Sequence, residues 1–139
     1  MLSIRRSRSL WAVSCLVLLG SGYIAAAPYT PKPGSPERKA ILDALRVPVE
    51  REARQKVVFH GVSIKVEKGW AFVHAISMDK AGKKAVLGDL DTAGLLRKQN
   101  GRWKVLHWGV AGDIGVVCDA AKKYPNAPKA IFGGVLGGC

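Results

Sequence analysis

Between Leu95 and Trp108 apolar residues at both ends enclose a polar stretch around Asn100-Gly101, with alternation from Arg102 to Val105; this Asn-Gly pair accepts the positive φ a type I′ hairpin turn requires. A two-residue loop sets the register. Gln99 then faces Arg102, Lys98 faces Trp103, Arg97 faces Lys104, Leu96 faces Val105 and Leu95 faces Leu106. Upstream, Val57 to Val66 and Trp70 to Met78 form a second hairpin around Lys68-Gly69. The first of these strands sorts Val58, Val62, Ile64 and Val66 from Phe59, Ser63, Lys65 and Glu67. The next sorts Trp70, Phe72, His74, Ile76 and Met78 from Ala71, Val73, Ala75 and Ser77, as a period of two requires. Asp79 to Lys84 reads as a polar turn. Ala85 to Thr92, with Gly88, Asp89 and Asp91, reads as an interrupted or bulged strand leading into the central hairpin.

A period near 3.6 replaces the period of two before the first hairpin. Ser35-Pro36-Glu37 has the order of an N-cap, a first-position proline and a first-turn acid, and Ala40, Ile41, Ala44, Leu45 and Val49 then recur on one stripe. Pro48 is expected to end or kink this helix, with Glu50 to Gln55 resuming as a short turn. After the hairpins, Asp113 to Lys123 fits a short helix capped by Asp113, and Tyr124 to Pro128 is irregular. Ile131 and Phe132 are expected to dock, and the glycine-rich remainder to Cys139 to be mobile. The expected fold is therefore α+β: an N-terminal helix packed on a four-stranded antiparallel meander, then a short C-terminal helix and a mobile tail. Ile41, Leu45, Val62, Ile64, Phe72, Leu96 and Val105 are its expected core.

The first residues do not belong to that fold. Arg5, Arg6 and Arg8 precede an apolar run from Leu10 to Leu19, and Ala25-Ala26-Ala27 follows it, the three-part pattern of a secretory signal cleaved at Ala26 or Ala27. The run is too short for a permanent membrane anchor, and Cys15 lies inside it rather than at its end, where a lipidated cysteine belongs. Removing residues 1–27 of the 139 leaves 112, enough for one domain. Residues 28–34, with three prolines, form a leader or extended arm; 35–132 form the domain and 133–139 the tail. The expected location is the periplasm or the exterior.

Export alters the meaning of charge and cysteine content. The formal charge of +12 loses the three signal arginines and becomes +9 in the mature chain, which favours an anionic envelope component or an acidic protein as partner. Aromatic residues are few and not interleaved with the cations, so nucleic acid is not an expected partner. Arg97, Lys98, Arg102 and Lys104 crowd the Asn100-Gly101 turn, and Arg97 opposes Lys104 although like charges across a ladder destabilise it. These four form a candidate binding tip. Cys118 and Cys139 are the cysteines left after cleavage, in a compartment where thiols oxidise; an intrachain disulfide is the first expectation, with free thiols or an interchain bond as alternatives.

A helix, a long hairpin and a second hairpin ending in Gly101-Arg102-Trp103-Lys104-Val105 resemble the cystatin-like and nuclear-transport-factor-like α+β folds. The stretch from Gly34 to Phe132 also resembles small exported bacterial proteins of unassigned function, through Gly34-Ser35-Pro36-Glu37-Arg38-Lys39-Ala40 and Gly69-Trp70-Ala71-Phe72-Val73. The resemblance implies a shape that hosts isomerases, dehydratases, inhibitors and interaction modules alike. Enzymes resembling this fold, such as ketosteroid isomerase, place carboxylates and a histidine or tyrosine in a cone between sheet and helices. His60, His74, His107, Asp89, Asp91 and Asp113 are the residue types available here. His74 shares a face with Trp70, Phe72, Ile76 and Met78, and Asp89 and Asp91 sit two apart on one side of a strand, so His74 with Asp89 or Asp91 is the candidate catalytic set. The structural alternative is a hydrogen-bonded histidine on a sheet face.

No Ser-His-Asp sequence signature, glycine-rich phosphate loop, metal-spaced cysteine pair or zinc signature is present, and no cofactor or metal site is expected. Two readings follow. One is an exported binding or inhibitory module with a basic surface; the other is a cone-fold enzyme or small-ligand carrier using His74. A pocket enclosing His74 beside a carboxylate would favour the second.

Overall fold

The structure, a computed structural model, describes residues 26–88, 91–111 and 114–139. The core of the expected signal, Asp89 and Asp113 lie outside the described residues. Helix α1 (Pro36–Ala53) precedes strands β1 (Val57–Glu67), β2 (Trp70–Asp79), β3 (Asp91–Gln99) and β4 (Arg102–Ala111), which lie in chain order in one antiparallel sheet. Helix α2 (Gly115–Lys123) and a 3-10 segment (Lys129–Gly138) complete the α+β fold.

Ser35 caps α1 as its sequence implies, accepting the Arg38 N–H at 3.2 Å. Pro48 does not end the helix, which runs on to Ala53. Ile41, Leu45 and Val49 are all fully buried at four-residue steps, so the stripe continues past the proline, and its packing outweighs the one backbone donor that proline lacks. They meet Ile64, Val66, Ala71, Val73, Leu96 and Trp103 on one face of the sheet. Ser77 and Thr92, buried at the end of this face, share a 2.6 Å hydroxyl contact.

The opposite face is covered as well. Phe72, Ala93 and Leu95 pack there against Val117 and Ala120 of α2 and Ile131 and Phe132 of the 3-10 segment. Phe72 thus belongs to a second core, while Val62 and Val105 are half-buried at the margin of the first. The C-terminal tail, whose composition argues for a mobile end, forms two 3-10 turns that meet at a kink at Gly133 (φ +65°) and reach Gly138, and Cys139 is bonded to Cys118 of α2 with their Cα atoms 5.5 Å apart.

Two irregularities shift the expected faces. β1 pairs His60 with Ile76 but Ser63 with His74, because an extra residue is accommodated around Gly61, whose φ is +58°. Before this bulge Val57 and Phe59, not Val58, share the α1 face with Val62, Ile64 and Val66. In the central hairpin the first four expected pairs hold, and Asn100 and Gly101 have φ of +49° and +75°. Leu95, however, faces His107 rather than Leu106, which is the residue accommodated by a second bulge. Of the weak strand expected over Ala85 to Thr92, Asp91 and Thr92 belong to β3, and among the described residues before them an isolated Met78–Ala85 bridge is the only pairing. α2 starts at Gly115 with Ile114 as N-cap.

The leader is an extended arm: Tyr29 exchanges backbone hydrogen bonds of 2.9 and 2.8 Å with Val66 on the edge of β1. Its hydroxyl also donates to Glu37 at 2.9 Å. Arg38 ties this side together through the Val62 carbonyl at 3.2 Å.

Candidate functional site

The second core is incomplete near β1 and β2. There the sheet and the C-terminal cover separate to leave an open cleft of about 510 Å³. β1 and β2 contribute Ser63, Lys65, Phe72 and His74, the start of α2 contributes Ile114 and Val117, and the 3-10 segment contributes Ile131, Phe132, Gly133 and Val135. Each group follows from local structure. Alternation on β1 puts Ser63 and Lys65 on this face, alternation on β2 does the same for Phe72 and His74, and the Cys118–Cys139 bond holds the 3-10 segment beside α2.

His74 therefore lines a cleft, as one of the two sequence readings requires. Asp91 on β3 stands beside it, with Oδ2 3.3 Å from His74 Nδ1. Both side chains are partly open to solvent, 41% for His74 and 38% for Asp91. Asp89, the other candidate carboxylate, lies outside the described residues. His60 is exposed on the far side of the β1 bulge, and His107 faces Leu95 across β3 and β4; neither is in the described lining of the cleft.

The four tip cations are brought together but are not equivalent. Arg97 lies over the Trp70 ring, 4.6 Å from guanidinium carbon to centroid, and donates to the Lys68 carbonyl at 2.9 Å. Lys98 reaches over Trp103, with Nζ 5.7 Å from the ring centroid. Both cations therefore cover indole surface. Arg102 and Lys104 are exposed, and among the described residues neither is recorded in an ion pair.

Ser63 and Lys65 are the site residues that sequence reasoning passed over as the polar side of a strand. The available signal was Gly61 within a strand pattern, which marks a bulge. No group of three or more His, Cys, Asp or Glu side chains suited to a metal is found among the described residues. Comparison with protein-family models, characterised proteins and solved structures finds no match.

Proposed function

We propose that this chain is a small exported binding protein that takes an amphipathic molecule, with an apolar body and an acidic head, in the cleft between sheet and C-terminal cover. The observation that carries this reading is the division of the cleft lining into apolar and polar parts. Phe72, Ile114, Val117, Ile131, Phe132 and Val135 offer apolar surface, while Ser63, Lys65 and His74 stand along the β1–β2 wall. Its volume falls within the ~300–1,000 Å³ of small-molecule sites, which combine apolar lining with a few placed polar groups. Lys65 supplies the positive charge for an acidic head. The disulfide is consistent with an oxidising, extracytoplasmic location.

Dodecanoate and dodecanol, which differ at the head, test this reading by competition against a fluorescent fatty acid. The acid is expected to bind more tightly, and Lys65→Ala to weaken it by about threefold, the scale of a solvent-exposed ion pair. Equal affinity for acid and alcohol, unchanged by Lys65→Ala, overturns the assignment of the head group.

A second reading, in which the hairpin end engages an anionic envelope component or acidic protein, is favoured by Arg102 and Lys104. Among the described residues these exposed cations have no aromatic partner of the kind that Trp70 and Trp103 give Arg97 and Lys98.

A further inference from the structure

Polar residues from three adjacent strands neighbour one another where Ser63 and His74 line the cleft. Ser63 on β1 lies directly opposite His74 on β2, and directly opposed residues share a face with Cβ atoms about 4.5–5.5 Å apart. Asp91 on β3 approaches from the other side, 3.3 Å from His74 Nδ1. An imidazole that turns Nδ1–H toward a carboxylate leaves the Nε2 lone pair on the part of the ring away from it. Because β2 lies between β3 and β1, Asp91 and Ser63 flank His74 from its two neighbouring strands. Nucleophile, base and orienting carboxylate are recognised by such a relation in space, not by their order along a chain.

The β1 bulge creates the row. Continued without the extra residue, the His60–Ile76 register would set Ser63 opposite Val73, whose side chain belongs to the α1 core. The bulge places it opposite His74 instead, the re-aiming of a side chain for which bulges recur beside active sites. Lys65, two residues further on the same face of β1, lines the same cleft. Its ammonium is suited to an oxyanion developing near Ser63.

We propose that Ser63, His74 and Asp91 hydrolyse carboxylic esters whose acid product is of the amphipathic class assigned to the cleft, an inference that rests on that assignment. Ser63 Oγ bonds to the ester carbonyl carbon as its proton passes to His74 Nε2. The carbon–oxygen bond to the alcohol then breaks, and the alcohol leaves with that proton. Water adds to the acyl-serine and gives a proton to His74; the carboxylic acid departs as Ser63 recovers the proton. Ser63 and His74 are catalytic residues, and Asp91 is a positioning residue that fixes the tautomer. The acid released has the head group assigned to the Lys65 wall.

The mature protein with its disulfide intact is incubated with a fluorophosphonate probe and, separately, with 4-nitrophenyl decanoate. One probe per chain on Ser63, read by peptide mass, is the expected result and needs no variant. His74→Gln is expected to lower kcat/KM by about 10²–10⁴, the contribution of general-base catalysis, and Ser63→Ala, which removes the nucleophile, to lower it at least as far. Asp91→Asn is expected to lower kcat with little change in KM and to alter the pH–rate profile, which a merely structural role would not do. Probe on another residue, or hydrolysis by a folded Ser63→Ala at the parent rate, overturns the inference. Dodecanoate binding by the parent without labelling or hydrolysis overturns the catalytic step alone; absence of all three overturns the cleft assignment with it.

Discussion

Phe72 on β2 and Phe132 in the C-terminal 3-10 segment pack with ring centroids 5.0 Å apart and planes tilted by 56°. Both rings also line the cleft, so one contact holds the cover to the sheet and forms part of the lining. Phe132→Ala removes a ring that is 3% exposed; such truncations cost about 3–5 kcal/mol. Chemical denaturation is expected to show a loss of that size, with fatty-acid binding reduced in the protein that remains folded.

The disulfide acts on the same cover. Parent protein purified without reductant is expected to show no free thiol at Cys118 or Cys139 under denaturing conditions. Cys118→Ser with Cys139→Ser is expected to lose stability on the order of 3 kcal/mol, the loop-closure value for a separation of 21 residues. Dodecanoate affinity should fall with it, because the wall carrying Phe132 and Val135 is then held by packing alone. Unaltered affinity in the folded double variant would separate the bond from the site.

Much of this arrangement is legible in the chain, and its failures have identifiable causes. The Asn100-Gly101 turn specifies the hairpin through Leu96 and Val105, since a two-residue loop leaves one register. It could not specify Leu106, which a bulge takes out of the ladder. The Gly61 bulge has the larger consequence, because it changes which side chain His74 meets, and a glycine in a strand marks the place of a bulge without giving the new pairing. In the C-terminal cover the docking of Ile131 and Phe132 and the Cys118–Cys139 bond follow the sequence reading, whereas the order of the stretch after Phe132 was hidden by its glycine content. Glycine-rich backbone has little intrinsic order, and what holds it is a long-range disulfide with the contacts of Ile131 and Phe132. Pro48 misleads for a related reason: burial of Val49 is a tertiary contact, and the residue type at 48 is a local one.

The acid limb of stability is expected to involve Asp43 on α1. Hydrogen bonding from Lys39 and then Arg46 holds its carboxyl below the ordinary aspartate value. A group depressed on folding contributes fully above its unfolded value, and the contribution is lost as pH falls through the folded one. These side chains are largely solvent-screened, so Asp43→Asn should remove only about 0.5 kcal/mol at neutral pH. Denaturation midpoints of parent and variant are expected to converge below the carboxylate range; a constant difference down to low pH would contradict the assignment.

The hairpin tip has its own test, in which Arg97 is left in place because it covers Trp70. Arg102→Glu with Lys104→Glu alters two exposed positions and is expected to change stability by less than about 0.5 kcal/mol. Retention of the mature protein by anionic envelope fractions should fall, and the parent's retention should decline as salt rises. Retention equal to the parent at low ionic strength would remove the tip from consideration.

Backbone chemical shifts recorded while dodecanoate is titrated into the isotopically labelled mature protein bear most directly on the central claim, that the cleft is the binding site. The expected result is a saturable set of shifts at Ser63, Lys65, Phe72, His74, Val117 and Phe132, with α1 and the Asn100-Gly101 turn unmoved. Shifts that centre on the turn, or that do not saturate at any residue of the cleft, would contradict it.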